Sequence, residues 1–183
     1  MLLALLQAVG SWLFVRALSV RWKNPYGQTL LYLLLLFSPI SLTQLVTQRL
    51  YRMAIVPGMV LVVFSGMIGL TLRKELPLKK QLPWAVLTGV ALAFFWQIRE
   101  DSVWILPFIA VMTVWNVGYV ILALHKNRTG RQLLLQCLML LLPILLLFGG
   151  NMTISAINQV HYGVFLTNDR TEGNFAELMS LFY

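Results

Sequence analysis

Six apolar stretches, almost free of ionisable groups, alternate with short clusters of Lys and Arg, and no single motif constrains the fold as much. The stretches run roughly from Leu2 to Val20, Thr29 to Val46, Met53 to Leu72, Leu82 to Gln97, Val103 to Leu124 and Leu133 to Gly149. A helix needs about 20 apolar residues to cross the hydrocarbon of a bilayer. The fourth stretch is shorter than that, and the others are close to it. Backbone polar groups in lipid must be satisfied within the segment, and the Leu, Ala and Met content shows no strand alternation, so each stretch reads as a helix. Composition agrees. Of 183 residues, 59% are hydrophobic and 11% charged, too little polar surface to cover a soluble domain. The expected fold class is an all-α polytopic membrane protein with about six transmembrane helices over residues 1–150. Pro39, Pro57, Pro107 and Pro143 lie inside stretches, where kinks are expected.

The basic residues orient the chain. Arg21 and Lys23 follow the first stretch; Arg73, Lys74, Lys79 and Lys80 follow the third; Lys126, Arg128 and Arg131 follow the fifth. Cytoplasmic loops carry the excess of Lys and Arg, so these segments are read as inside. Arg16 can snorkel to the same side. The N-terminus, the Arg99 to Ser102 loop and the C-terminal tail are then outside, and the localisation read is a multi-pass cell-membrane protein. The net charge of +8 is largely this topology signal, and nucleic acid is not an expected partner. Other membrane helices and membrane lipid are.

An outside N-terminus that opens directly on "MLLALLQAVGSWLF" carries no basic flank, so a segment upstream is expected. The tail, residues 151–183, changes character. "NQVHYGVFLTND" reads as strand-like and "DRTEGN" as a turn. Asn174 and Glu177 then stand at capping-box spacing, and Phe175, Leu178, Met179 and Phe182 recur at helical spacing. The tail is read as a short extracytoplasmic β-α start of an outer domain.

Signals of soluble enzymes are absent from the sequence. The single cysteine, Cys137, lies inside the sixth stretch and reads as a small buried apolar residue. His125 and His161 fall on opposite predicted faces, which argues against a shared metal site. The chain has no glycine-rich phosphate loop and no nucleophile elbow, and no internal repeat is evident. The glycosylation sequons at Asn127 and Asn151 fall on the predicted inner face and against the membrane, poor places for an acceptor.

Chemistry is concentrated on the outer face. "TQRLYRM" spaces Arg49 and Arg52 by three residues beside Tyr51, and "REDS" places Arg99, Glu100, Asp101 and Ser102 together between two apolar stretches. Arginine forks match phosphate oxygens. An acid beside them can act as a general base or hold a divalent metal against a diphosphate. Glu100 and Asp101 are therefore candidate catalytic residues, and Arg49, Arg52, Arg99 and Ser102 candidate substrate-binding residues. The plainer alternative is solvated loop charge at the interface, which the bracketing Trp96 and Trp104 fit equally well. Gln44, Gln97 and Asn116, inside stretches, read as helix-packing contacts.

"SPISLTQLVTQRLYRMAIVPGMVLVVFSGMIGLTLR", "REDSVWILPF" and "HYGVFLTNDRTEGNFAELMSLFY" resemble uncharacterised polytopic membrane proteins of Gram-positive bacteria grouped with glycosyltransferases. These in turn resemble the multi-spanning C-type glycosyltransferases that use polyprenyl-phosphate-linked sugars on the outer face. In that class an Arg, an acid and a small residue open a helix that ends in a Pro-containing apolar run, a pattern matched by Arg99, Glu100, Ser102 and Pro107. The resemblance implies an outward-facing site for a polyprenyl-phosphate sugar. The class carries its catalytic acid in the first outer loop, whereas "TQRLYR" holds none. The resemblance therefore implies a partial or truncated relative that binds the lipid-linked sugar without transferring it alone.

Two other classes stay open. A structural or assembly subunit of a larger membrane complex needs only apolar faces and small-residue positions such as Gly58, Ser65, Gly66 and Gly69. A transporter subunit needs ionisable groups along a path through the bilayer, and the stretches have almost none.

Overall fold

The structure, a computed structural model, describes residues 2–39, 52–98, 102–124 and 129–167. The described residues form α1 (Leu2–Leu18), α2 (Pro25–Leu36), α3 (Val56–Leu72), α4 (Leu78–Ile98), α5 (Leu106–Leu124) and α6 (Gly130–Tyr162), with no strand among them. Four-residue 3-10 turns, Arg52–Ile55 and Ser102–Ile105, lead into α3 and α5. Three helices are long and apolar enough to cross a membrane: α4, the unit Ser102–Ala123, and α6; α1 and α3 are shorter apolar helices. The described residues are thus helical and membrane-compatible, as the apolar stretches require.

Local chemistry sets the helix ends. Asn24 caps α2 by accepting the Tyr26 N–H at 3.1 Å, with Pro25 in the first position, where a missing N–H costs nothing. Thr129 and Gln132 form a capping box at the start of α6. Pro57 and Pro107 are the second residues of α3 and α5. They start these helices at the end of a 3-10 turn instead of kinking them, because a first-turn proline forfeits no intrahelical bond. Pro143 does lie inside α6.

The expected strand is corrected at its beginning. Asn158 to Tyr162 are helical, the continuation of α6, which stops only at Gly163 with a left-handed φ of 72°. A lone strand would leave its backbone groups unpaired, whereas a helix satisfies its own. The helix passes straight through Gly150 and Asn151, where the membrane part and the tail were divided. At 1.5 Å per residue its 33 residues rise about 50 Å, against a hydrocarbon core of about 30 Å. Beyond Gly163, Asn158 Nδ2 donates to Leu166 O at 2.7 Å and ties the chain back onto the helix. The helix read from Asn174 lies outside the described residues.

α3 is central. It packs on α1, α4 and α5; α4 packs on α6, α6 on α5, and α2 on α1. Small residues permit two of these contacts on different faces of α3. Toward α1, Gly58 meets the Leu6 side chain and Ser65 Oγ donates to Gly10 O at 3.3 Å. Toward α4, Gly66 lies under Thr88 and Gly69 under the Trp84 ring. Without a hydrophobic drive between helices in lipid, such close approach supplies the contact energy.

Two core clusters mark the two ends of the bundle. One joins Val62, Val63, Leu92, Phe95, Ile105, Ile109 and Leu147, with Leu6 and Val56 beside it. The other joins Leu70, Ala85, Val120 and Leu140. Successive helices therefore alternate in direction. The starts of α1, α3 and α5 share one end with the finish of α4, and the starts of α4 and α6 share the other with the finish of α1, α3 and α5.

Candidate functional site

Of the six candidate site residues, Arg49, Arg99, Glu100 and Asp101 lie outside the described residues, and Arg52 is described only as the first residue of its turn. Ser102 is fully described. It is 1% exposed, and its hydroxyl donates to Phe95 O at 3.2 Å and lies 3.5 Å from Trp96 O. These carbonyls belong to the last turn of α4, which has no helical partner for them. The Ser102 hydroxyl, an expected substrate contact, thus meets the carbonyl end of α4. Trp104, two residues on, stands edge-on to Phe95 at 5.7 Å.

The structure brings Arg52 and Ser102 to the same end, since Val56 and Ile105, just beyond each, belong to one cluster. It also shows that the two turns are built alike. Arg52–Ile55 and Ser102–Ile105 each run into a helix whose second residue is proline. Aligned on those turns, "RLYRMAIVP" and "REDSVWILP" match at the leading arginine, the isoleucine and the proline. In sequence, Arg49 and Arg99 each stand three residues before the start of such a turn. Only three of the nine residues coincide, too few to mark the likeness in sequence; the shared turn makes it visible.

The basic segments gather at the opposite end. Arg21 and Lys23 follow α1, Arg73 and Lys74 follow α3, Lys79 and Lys80 open α4, and Arg131 opens α6. One of them is not a loop charge. Arg73 is buried, donates from Nη1 to Ala17 O at 3.3 Å and Gly69 O at 3.1 Å, and from Nη2 to Arg16 O at 3.1 Å. Its guanidinium stacks on Trp84 at 4.4 Å. It closes the carbonyl ends of α1 and α3 together. Burial, and secondarily the Arg16 charge, pull its pKa down from the ordinary arginine value. The next residue, Lys74, lies 3.7 Å from the centre of the Tyr119 ring, and its carbonyl accepts from Gln81 Nε2 at 3.2 Å and from Gln136 Nε2.

The polar residues within the stretches that are described are packing contacts, as expected. Gln97 Nε2 donates to Asn151 Oδ1 at 2.8 Å, and Asn116 Nδ2 to Thr71 Oγ1 at 2.8 Å. Asn151, in the middle of α6, is therefore engaged in helix contact. Cys137 is a free, half-buried thiol against the second core cluster. His161 is exposed near the end of α6, and His125 lies outside the described residues. Among the described residues no group of His, Cys, Asp and Glu is placed to hold a metal ion.

Fold and site together define a class, a membrane-compatible helical protein with a basic end and an opposite end bearing two like turns. No protein-family model matches the chain, and neither the curated proteins nor the solved structures give a match.

Proposed function

We propose that this chain is a multi-pass membrane protein of six crossings that handles a polyprenyl-phosphate-linked sugar at the outer membrane face. The basic end faces the cytoplasm, by the excess of Lys and Arg on it. The two turns, and the protruding end of α6 with its tail, then face outward. The observation that carries the reading is the equivalence of the turns. Two arginines, Arg49 and Arg99, hold the same position before two like-built turns at one end of the bundle, and a pair of guanidinium forks suits the oxygens of a lipid phosphate. Glu100 and Asp101 follow the second arginine and are the acids available to a sugar hydroxyl or to a divalent metal. The resemblance to C-type glycosyltransferases supplies the ligand class. In that class the catalytic acid sits in the first outer loop, and "TQRLYR" holds none, so binding of the lipid-linked sugar is the activity expected of the residues in hand.

The assembly-subunit reading loses one of its supports. Gly58, Ser65, Gly66 and Gly69 are buried within this chain, against α1 and α4, and do not present a small-residue face to a partner.

The binding test uses the purified chain and a short-chain polyprenyl-phosphate sugar. Arg52→Ala, Arg99→Ala and Glu100→Ala should each weaken binding; unchanged affinity in all three would overturn the proposal. Sidedness is read in a Cys137→Ala background. Ser102 is too buried to label, whereas Val103 is 58% exposed. A membrane-impermeant thiol reagent should reach Val103→Cys from outside and Thr129→Cys only after the membrane is opened. The reverse pattern would place the turns inside and remove the outer site.

A further inference from the structure

The basic end holds a cleft that the outer-face reading does not use. It has a volume of about 300 Å³ and is lined by Arg21, Thr71, Leu72, Lys74, Glu75 and Tyr119. Three separate parts of the chain meet there: the turn after α1, the end of α3, and the last turns of α5. The lining is pre-arranged. Thr71 Oγ1 donates to Met67 O at 2.7 Å and accepts from Asn116 Nδ2. The Tyr119 hydroxyl donates to Glu75 Oε1, and the Tyr119 ring carries the Lys74 ammonium on its face. Arg21 is exposed at the mouth.

The charge favours an anion. Two cations and one acid line the cleft, and a third cation, Arg73, stands in the chain between its lining residues Leu72 and Lys74. Burial lowers the Lys74 pKa from the ordinary lysine value, with Glu75 pulling the other way, so the ammonium lacks part of the solvation an anion would replace. A guanidinium fork and an ammonium converging from two elements suit phosphate oxygens. Glu75 already accepts a hydroxyl from Tyr119, which is the contact a hydroxylated headgroup would make beside its phosphate.

The surroundings give the source. One helical turn before Tyr119, away from the basic end, the α5 wall continues into the exposed Trp115, and Val20, two residues past α1, is exposed as well. A basic cleft at the end of apolar helices lies at headgroup depth, with acyl chains accommodated along the helices below.

We infer that the cleft lined by Arg21, Thr71, Lys74, Glu75 and Tyr119 binds the phosphate and hydroxylated headgroup of an anionic glycerophospholipid from the leaflet at the basic end. The inference is independent of the proposed sugar-lipid site, which lies at the other end of the bundle.

The test is native mass spectrometry of the full chain released from detergent with phosphatidylglycerol or phosphatidylcholine of matched acyl chains. The wild-type protein should retain phosphatidylglycerol in preference to phosphatidylcholine. Arg21→Gln with Lys74→Gln should reduce that preference by about tenfold, the loss of two charge-assisted contacts. Arg21→Gln alone, an exposed position that leaves the Lys74 and Tyr119 contact in place, should reduce it severalfold. Lys79→Gln with Lys80→Gln removes as much charge from the same end without touching the cleft, and should leave the preference in place. An undiminished preference in the Arg21 and Lys74 variant overturns the inference. So does an equal loss in the Lys79 and Lys80 variant, which would mean diffuse attraction. Displacement of the lipid by millimolar glycerol phosphate would assign the cleft to a soluble phosphate and overturn the lipid source.

Discussion

Replacing Gly66 by alanine tests whether α3 is the keystone of the bundle. A Cβ at this position would lie 2.1 Å from Thr88 Oγ1, 3.0 Å from Thr88 Cβ and 3.2 Å from Thr88 Cα. The first of these is more than an ångström inside van der Waals contact. The last is to backbone, so no change of rotamer at Thr88 relieves it, and the Thr88 hydroxyl is in any case held at 2.7 Å to Trp84 O. Either α3 and α4 separate or Thr88 is forced from its well, an overpacking cost of about 1–3 kcal/mol. Gly118 is the internal control. It also sits mid-helix, but its Cβ would meet nothing within 4 Å, so Gly118→Ala should stabilise α5 by up to about 1 kcal/mol through helix propensity alone. Reversible unfolding of the purified protein, titrated with a denaturing detergent in mixed micelles, gives both values. Combining Gly66→Ala with Thr88→Ala should recover at least about 1 kcal/mol relative to the sum of the single changes, because residues in contact couple on that scale. If Gly66→Ala stabilises as Gly118→Ala does, or if Thr88→Ala recovers nothing, the close α3 and α4 approach is refuted.

Four further outcomes follow from groups described in the structure. Arg73→Gln removes the guanidinium from the carbonyls of Arg16, Ala17 and Gly69 and should cost on the order of 2–3 kcal/mol in the same assay. Ser102→Ala should lower stability by about 1 kcal/mol, the net value of one buried hydrogen bond, and leave sugar-lipid affinity unchanged; a selective loss of binding would return Ser102 to the ligand. Asn116→Ala and Thr71→Ala, taken through a double-mutant cycle, should couple by about 0.6 kcal/mol, the usual size of an interhelical hydrogen bond in lipid. Asn116→Leu should be nearly neutral, because Asn116 Oδ1 is buried with no hydrogen-bond partner among the described residues; a loss above about 2 kcal/mol would show a partner for that oxygen.

Apolar length was legible in the sequence wherever lipid dictates it. The first stretch coincides with α1 to within two residues, and the short fourth stretch is extended by α4 on its basic side, where Lys79 and Lys80 continue the helix without adding hydrophobicity. The same blindness truncated the sixth stretch at Gly149. Asn151, Thr153, Ser155 and Asn158 dilute the apolar count, yet α6 runs on through them to Tyr162. A hydropathy pattern reports where lipid stops, and the helix stops where its backbone meets Gly163. The convergence of the basic segments on one end follows from alternating helices and was legible. The burial of Arg73 was not, because nothing in "LRKE" separates an arginine that turns inward from one that faces water. The available signal was Gly69 four residues earlier, on the same helix face, which lets the Trp84 ring close on α3 where the guanidinium stacks. Of the candidate site, the sequence named its residues and the structure places Arg52 and Ser102 at one end; only the matching turns relate Arg49 to Arg99.

The Arg73 contacts give the molecule an order of assembly as well as a shape. α1 holds Gln7 and Ser11 in its buried face. Gln7 is bonded across to Leu35 O, Gly10 O receives Ser65, and the last carbonyls of α1 receive Arg73. These partners come from α2 and from the end of α3, more than fifty residues later in synthesis for Ser65 and Arg73. Ser11 is satisfied within α1, donating to Gln7 O at 2.8 Å, but synthesis delivers the Gln7 amide and the final turn of α1 before the α2 and α3 groups that meet them. Retention of α1 by the membrane-insertion machinery, and its release once residue 73 has entered, would be the kinetic imprint of a single inward-turned arginine.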